Sequence, residues 1–173
     1  MLAGESQVSS SLEDYLEAIY HIAEAKGAAR AKDIVQAMGV NNSSVTQALR
    51  SLSEKKLVNY APYDVITLTA DGEKIAQDVL QRHVTLREFL TTVLGLPTDL
   101  ADGEACRMEH AIDDEVLERF LCFLAFVNRH RGKEVGWVEE FRRFVSEGSD
   151  GQTCNECVRD YLNALQKEFK NDM

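Results

Sequence analysis

Nowhere in this 173-residue sequence do about 18 apolar residues follow one another, so nothing in it reads as a membrane-spanning helix. The opening Met1-Leu-Ala-Gly-Glu-Ser-Gln7 lacks the basic and apolar regions of a secretory signal, and a cytoplasmic protein is expected. Cysteine is scarce, occurring only at Cys106, Cys122, Cys154 and Cys157. Without an export signal these are expected to be reduced thiols or ligands rather than a disulfide framework. A glycine-rich phosphate loop, an internal repeat and a nucleophile with a plausible base are all missing, so no enzyme is expected. Positive charge is short as well, with 19 Lys and Arg against 29 Asp and Glu and a net charge of −10. For the chain as a whole that argues against nucleic acid, because a phosphate backbone rewards Lys and Arg.

The distribution of charge says more than its sum. From Lys26 to Val58 six basic residues face only Asp33 and Glu54, a local surplus of +4 inside an acidic protein. Such an island is compatible with DNA binding. The 45% hydrophobic content supports a packed core, and the length suits one ordinary domain or two small ones sharing an interface.

Read in order, residues 1–10 form a loose arm. Leu12, Tyr15, Leu16, Ile19, Tyr20, Ile22 and Ala23 then recur at helical spacing from Ser11 to about Lys26, with Gly27 as C-cap. Ser11-Leu-Glu-Asp14 fits a capping box in which Asp14 answers a backbone N–H, and Glu17 reads as a solvated flank. A short helix from Ala31 to Met38 ends at Gly39, and a longer one follows Val40-Asn-Asn42 and runs to Lys56, with Val45, Ala48, Leu49 and Leu52 inward. Two helices joined by a short glycine-containing turn are the helix-turn-helix pattern. Asn41, Asn42, Ser43, Ser44, Thr46 and Gln47, followed by Arg50, supply more amides and hydroxyls than one cap needs. Base and phosphate contact in a major groove is the expected role of these seven residues.

Val58-Asn-Tyr60 and Val65-Ile-Thr-Leu-Thr69, separated by a turn at 61–64, read as a two-stranded hairpin, the wing of a winged helix. Leu57, Val58, Ile66 and Leu68 are expected to pack it on the helices. Thr69 caps a long helix to about Leu94, whose Ile75, Val79, Leu80, Leu86, Phe89, Leu90 and Val93 form an apolar face. His83 lies in its middle and, taken singly, reads as a polar surface or partly buried residue. After the break at Gly95-Leu-Pro97, Thr98 or Asp99 caps a helix carrying Glu104-Ala-Cys-Arg-Met-Glu-His110.

On a helix Cys106, Glu109 and His110 stand at i, i+3 and i+4, so thiol, carboxylate and imidazole share one face. That donor set suits a borderline transition metal better than calcium or magnesium. The bland reading is a small core cysteine with solvated neighbours. Asp113-Asp114 caps the next helix, about Val116 to Val127, where Leu117, Phe120, Leu121, Phe123, Leu124 and Phe126 surround much of the circumference. A subunit interface would explain so much apolar surface. Helices near Lys133–Val145 and Asn155–Phe169 complete a polar tail, with Phe141, Phe144, Tyr161 and Leu165 folding it back on the body. Cys154-Asn-Glu-Cys157 is half a zinc-ligand set, and plain thiols are favoured there. The fold class is mainly α: a winged helix-turn-helix over 1–72, an all-α segment over 73–127 and a helical extension over 128–173.

Leu12-Glu-Asp-Tyr-Leu-Glu-Ala-Ile-Tyr20, Ser43-Ser-Val-Thr-Gln47, Leu68-Thr-x-x-Gly72, Arg82-His83 and Glu104 to His110, in this order and spacing, resemble the DtxR/MntR family of metal-dependent transcriptional repressors. The resemblance runs from about Ser10 to Phe126. It implies metal roles for Asp14, Glu17, His83, Cys106, Glu109 and His110, in a site between a DNA-binding and a dimerisation domain. It further implies a homodimeric repressor of metal homeostasis that binds a palindromic double-stranded operator when loaded with a divalent metal. Asp14 resembles the manganese-type members and Cys106 the iron-type ones, so Fe(II) is expected first and Mn(II) close behind. Asp102 stands where iron-type members place a histidine, so their ancillary site is not expected, and the tail is too short and too helical for an SH3-like third domain. The alternative is a winged-helix regulator sensing a small ligand, or the redox state of Cys154 and Cys157.

Overall fold

The computed structural model describes residues 8–61, 64–129, 136–148 and 152–171. Eight helices and one small antiparallel sheet are found among them: α1 Ser10–Lys26, α2 Ala31–Met38, α3 Asn42–Glu54, β1 Val58–Asn59, β2 Thr67–Leu68, α4 Ala70–Thr92, α5 Thr98–Met108, α6 Asp114–Arg129, α7 Trp137–Glu147 and α8 Cys154–Asn171. No helix among the described residues is long and apolar enough to cross a membrane.

The first half is organised by the apolar stripes read from the sequence. Leu16 and Ile19 of α1, Ile34 of α2, and Val45, Leu49 and Leu52 of α3 are all fully buried in one core. Gly27 and Gly39 end α1 and α2 in the left-handed conformation that glycine adopts without penalty. The wing is short. Val58 pairs with Leu68 and Asn59 with Thr67, and an isolated bridge joins Ala29 to Ile66, so the returning limb of the wing is stitched to the loop between α1 and α2. Leu57, Val58 and Ile66 are buried as expected, and Leu68 packs against the same core. Pro62 and Tyr63 of the expected turn lie outside the described residues.

A second core gathers Leu86 and Leu90 of α4 with Ala101 and Ala105 of α5, and Phe89, Leu94, Leu96, Ile112 and Phe120 pack against it. The α4 helix therefore enters both cores, since its Ala76 belongs to the first. Leu117 is the one buried residue of α6, while Val116 and Phe126 are 46% and 47% exposed, leaving an apolar surface along that helix. Trp137 of α7 meets Phe123 of α6 with ring centroids 5.5 Å apart. Arg142 of α7 donates to the carbonyls of Thr91 and Thr92, placing a cation on the acceptor-rich carboxyl end of α4.

Three local expectations are corrected. The N-cap of α1 is Ser9 without a side-chain cap bond, so Ser11 lies inside the helix and there is no Ser11–Asp14 capping box. The cap position of α5 is Pro97, so Thr98 and Asp99 are its first helical residues. The α3 helix stops at Glu54, because Lys56 turns to φ 60 and hands the chain to the wing. The start of α7 at Lys133 was expected in a stretch outside the described residues.

Candidate metal centre and nucleic-acid interface

The chain turns sharply at the end of α5. Glu109 is the C-cap, its N–H still bonded to the Ala105 carbonyl at 2.9 Å, and His110 stands in the turn that follows. Both side chains consequently sit at the carboxyl end of a helix, where a cation is favoured and an extra negative charge is not. Glu109 is fully buried. Its Oε2 lies 2.7 Å from Nδ1 of His83 on α4, and its Oε1 has no hydrogen-bond partner. Nε2 of His110 is 2.8 Å from Oδ1 of Asp14 on α1 and 3.3 Å from that orphaned Oε1. One ligand atom from each of Asp14, Glu109 and His110 falls within 4.8 Å of the others.

The remaining expected ligands surround this triad at different distances. His83 joins it through Glu109. The Cys106 thiol also faces Glu109, although the residue as a whole is exposed. Glu17 is near enough to raise the pKa values of Glu109 and Cys106 by its charge, and its carboxylate stands 3.6 Å from His21. Asp14 is thus a long-range partner of His110 rather than a helix cap.

The electrostatics describe a site that holds protons. Burial, and then the charge of Glu17, push the Glu109 carboxyl above its ordinary range against the opposing pull of His83 and His110. Partial burial lifts the Cys106 thiol, and the carboxylates of Glu109, Asp14 and Glu17 lift it further. His83 and His110 are both raised: burial opposes their charge, but Asp102 and Glu109 hold the first as imidazolium, and Glu13, Asp14 and Glu109 the second.

Sequence reasoning missed two of these partners. Glu13 is 5% exposed, and its Oε2 lies 2.7 Å from Nδ1 of His110. The available signal was its place at i−3 from Leu16, inside the apolar stripe of α1. Asp102, treated only as a missing histidine, has its Oδ1 3.1 Å from Nε2 of His83 and 3.5 Å from the Arg87 guanidinium.

On the opposite side of the first core, α3 presents a polar face. Asn42, Ser43, Thr46, Gln47 and Arg50 line one open concavity with Ser51 and Glu54. Asn41 accepts from the Ser44 N–H at 2.8 Å and the Ser43 hydroxyl at 2.6 Å, so its carbonyl oxygen is committed to the cap. The Thr46 hydroxyl donates back to the Asn42 carbonyl at 2.9 Å. Ser44 is half-buried, whereas Asn42, Ser43, Gln47 and Arg50 are exposed.

The family model for the N-terminal DNA-binding domain of the iron dependent repressor matches residues 7–66, and the model for its metal binding and dimerisation domain matches 69–134. An uncharacterised HTH-type transcriptional regulator of Methanocaldococcus jannaschii is 40% identical over 118 residues, which are 68% of this chain and 94% of that relative. The transcriptional regulator MntR of Escherichia coli O6:H1 is 35% identical over 112 residues, 65% of this chain and 72% of its own. Among solved structures, a manganese-dependent transcriptional repressor in complex with manganese superposes with a TM-score of 0.61 at 31% identity, covering 66% of this chain. The match spans 53% of that chain, so this one corresponds to about half of it.

Proposed function

The chain belongs to the DtxR/MntR family of metal-dependent transcriptional repressors, and we propose that it is a homodimer that binds a palindromic operator when Fe(II) or Mn(II) occupies the Asp14–Glu109–His110 site. The observation that carries this reading is the buried Oε1 of Glu109, which no hydrogen bond satisfies and which faces its chain neighbour His110 and Asp14 of α1. A buried carboxylate oxygen without a partner is costly unless a cation answers it. Asp14, Glu109 and His110 would hold the metal, with His83, Cys106 and Glu17, which face or act on Glu109, as the further candidate donors. Oxygen, nitrogen and sulfur together fit a borderline transition metal, and a site with these donors should hold Fe(II) more tightly than Mn(II). When bound, the ion supplies positive charge at a point where carboxylates from α1 and the end of α5 converge.

Asp14 ties α1 to the second core, and α1 shares the first core with α3, so the aim of α3 follows from the closure of this contact. The exposed apolar side of α6 is the proposed dimer seam. Two α3 helices held at a fixed spacing enter successive major grooves of a two-fold operator. Metal shifts this equilibrium only by its preference for the closed arrangement, so the metal-free protein binds DNA weakly rather than not at all. Gln47→Ala should relax base preference without unfolding α3, because Gln47 is exposed. Binding to operator and to scrambled duplex measures this, and an equal loss on both would assign Gln47 to phosphate contact.

The titrating groups give the reading a direct test. His83 and His110 hold their protons more tightly folded than unfolded, so the metal-free fold gains from them below about pH 6.5 and loses that gain as pH rises through their raised values. Glu109, raised by burial, loses stability in the same direction as it ionises. Metal uptake needs those protons gone, so its affinity rises with pH. The increase in melting temperature on adding Mn(II), or Fe(II) without oxygen, should therefore grow steadily from pH 6 to pH 8. A metal-induced shift that is absent, or constant across that range, contradicts the proposal.

A further inference from the structure

Consecutive residues of α1 grip the two nitrogens of one imidazole. Asp14 takes Nε2 of His110 at 2.8 Å and Glu13 takes Nδ1 at 2.7 Å, across 96 and 97 residues of sequence. The two contacts are not equivalent. Nε2 also lies 3.3 Å from the orphaned oxygen of Glu109, so this edge of the ring faces the converging donors, while the Nδ1 edge faces away from them into the side of α1. Asp14 has 43% of its side chain exposed and Glu13 has 7%. A carboxylate buried on the apolar stripe of a helix costs stability, and the short contact to His110 is what offsets it.

From this geometry we infer that Glu13 is the positioning residue of the site: it fixes His110 with Nδ1 protonated and leaves the Nε2 lone pair to coordinate. A histidine that donates its second ring N–H to a carboxylate is held in one tautomer and one orientation, and is made a more basic ligand. Glu13 keeps its partner in both states. With Nε2 given to a metal, the Nδ1–H would still donate to Glu13 and dock α1 on the end of α5.

His83 repeats the arrangement in reverse. Its Nδ1 faces Glu109 at 2.7 Å and its Nε2 is held by Asp102 at 3.1 Å, with the Arg87 guanidinium on the same Asp102 oxygen. Asp102 is 54% exposed on its side chain, so water screens this contact and it directs the ring less strongly than Glu13 does. The two imidazoles are therefore assigned opposite coordinating nitrogens, Nε2 for His110 and Nδ1 for His83.

The inference rests on the metal reading above, and its test separates the two. Mn(II) affinity of the full chain is measured by calorimetry for wild type, Glu13→Gln, Glu13→Ala and Asp102→Asn, with metal-free melting curves confirming that each variant is folded. Long-range proton–nitrogen spectra of the Zn(II)-loaded wild type then report which ring nitrogen carries the proton. Glu13→Ala should lose affinity by about 10–100-fold. Glu13→Gln, which keeps a neutral acceptor, should recover part of that loss, and Asp102→Asn should cost less than Glu13→Ala. The spectra should show His110 protonated at Nδ1 and His83 at Nε2. Wild type that takes up no metal overturns the metal reading and this inference with it. Wild type that binds Mn(II) while Glu13→Ala matches it, or His110 protonated at Nε2, overturns the role of Glu13 alone.

Discussion

Glu109→Gln is expected to weaken Mn(II) binding by at least about 100-fold, roughly 2.7 kcal/mol, while the metal-free protein melts no lower than wild type. The opposite signs follow from one fact. Glu109 is fully buried at the carboxyl end of a helix, with a neighbouring acid in Glu17 and one oxygen lacking any hydrogen bond. Without metal its charge is a burden that a neutral amide of the same shape removes, since the amide oxygen can still accept from His83. With metal the same charge is the donor on which the other elements converge. Calorimetry with Mn(II) and melting curves in chelator measure both halves. A variant that loses stability and metal affinity together would show instead that Glu109 is a structural residue.

Gly72→Ala should lower stability by roughly 3 kcal/mol and the melting temperature by about 10 °C, one of the largest effects of any single methyl group in this chain. Gly72 lies in the first turn of α4, where the helix leaves the wing. Its N–H bonds to the Thr69 hydroxyl at 3.2 Å, that hydroxyl donates to the Lys56 carbonyl at 2.8 Å, and the Thr69 N–H bonds to the Leu57 carbonyl at 3.0 Å. These contacts pull Leu57 across the start of α4 until a Cβ on Gly72 would meet its carbonyl oxygen at 2.0 Å. The colliding atom is backbone, so no rotamer change relieves it. A melting curve within 2 °C of wild type, roughly the value of half a kcal/mol here, would mean that α4 and the wing slide apart freely.

The helices of the first core were legible because each carries an unbroken stripe at helical spacing. Val45, Ala48, Leu49 and Leu52 of α3 are all buried, and Gly27 and Gly39 end their helices in the conformation expected of them. What failed were inferences in which a local rule competed with a distant partner. Ser11-x-x-Asp14 satisfies the spacing of a capping box, but Asp14 is taken by His110 from 96 residues away, and no window of sequence contains both. The i, i+3, i+4 argument grouped Cys106, Glu109 and His110 on one face. It assumed a continuous helix, whereas α5 ends at Met108, so Glu109 turns fully inward while Cys106 stays at the surface. Glu13 was passed over because an acid beside a more recognisable acid looks like solvated flank, and only its burial against His110 distinguishes it.

The family resemblance brought the distant donors together before any coordinates did, and the structure adds what that resemblance lacks. It brings one ligand atom from each of Asp14, Glu109 and His110 within 4.8 Å of the others. On α3 the side-chain oxygen of Asn41 is taken up by its own cap, while the residue itself stays exposed.

The central claim is that metal at the end of α5 controls what α3 does on DNA, and operator affinity in the two metal states tests it most directly. A duplex enriched from a random library by the Mn(II)-loaded chain is titrated with protein in chelator, and then with saturating Mn(II) or, without oxygen, Fe(II). Affinity should tighten by roughly 10–100-fold with metal, and His110→Ala should keep only the weak metal-free value. Equal affinity in chelator and in metal, unchanged by His110→Ala, would contradict the account.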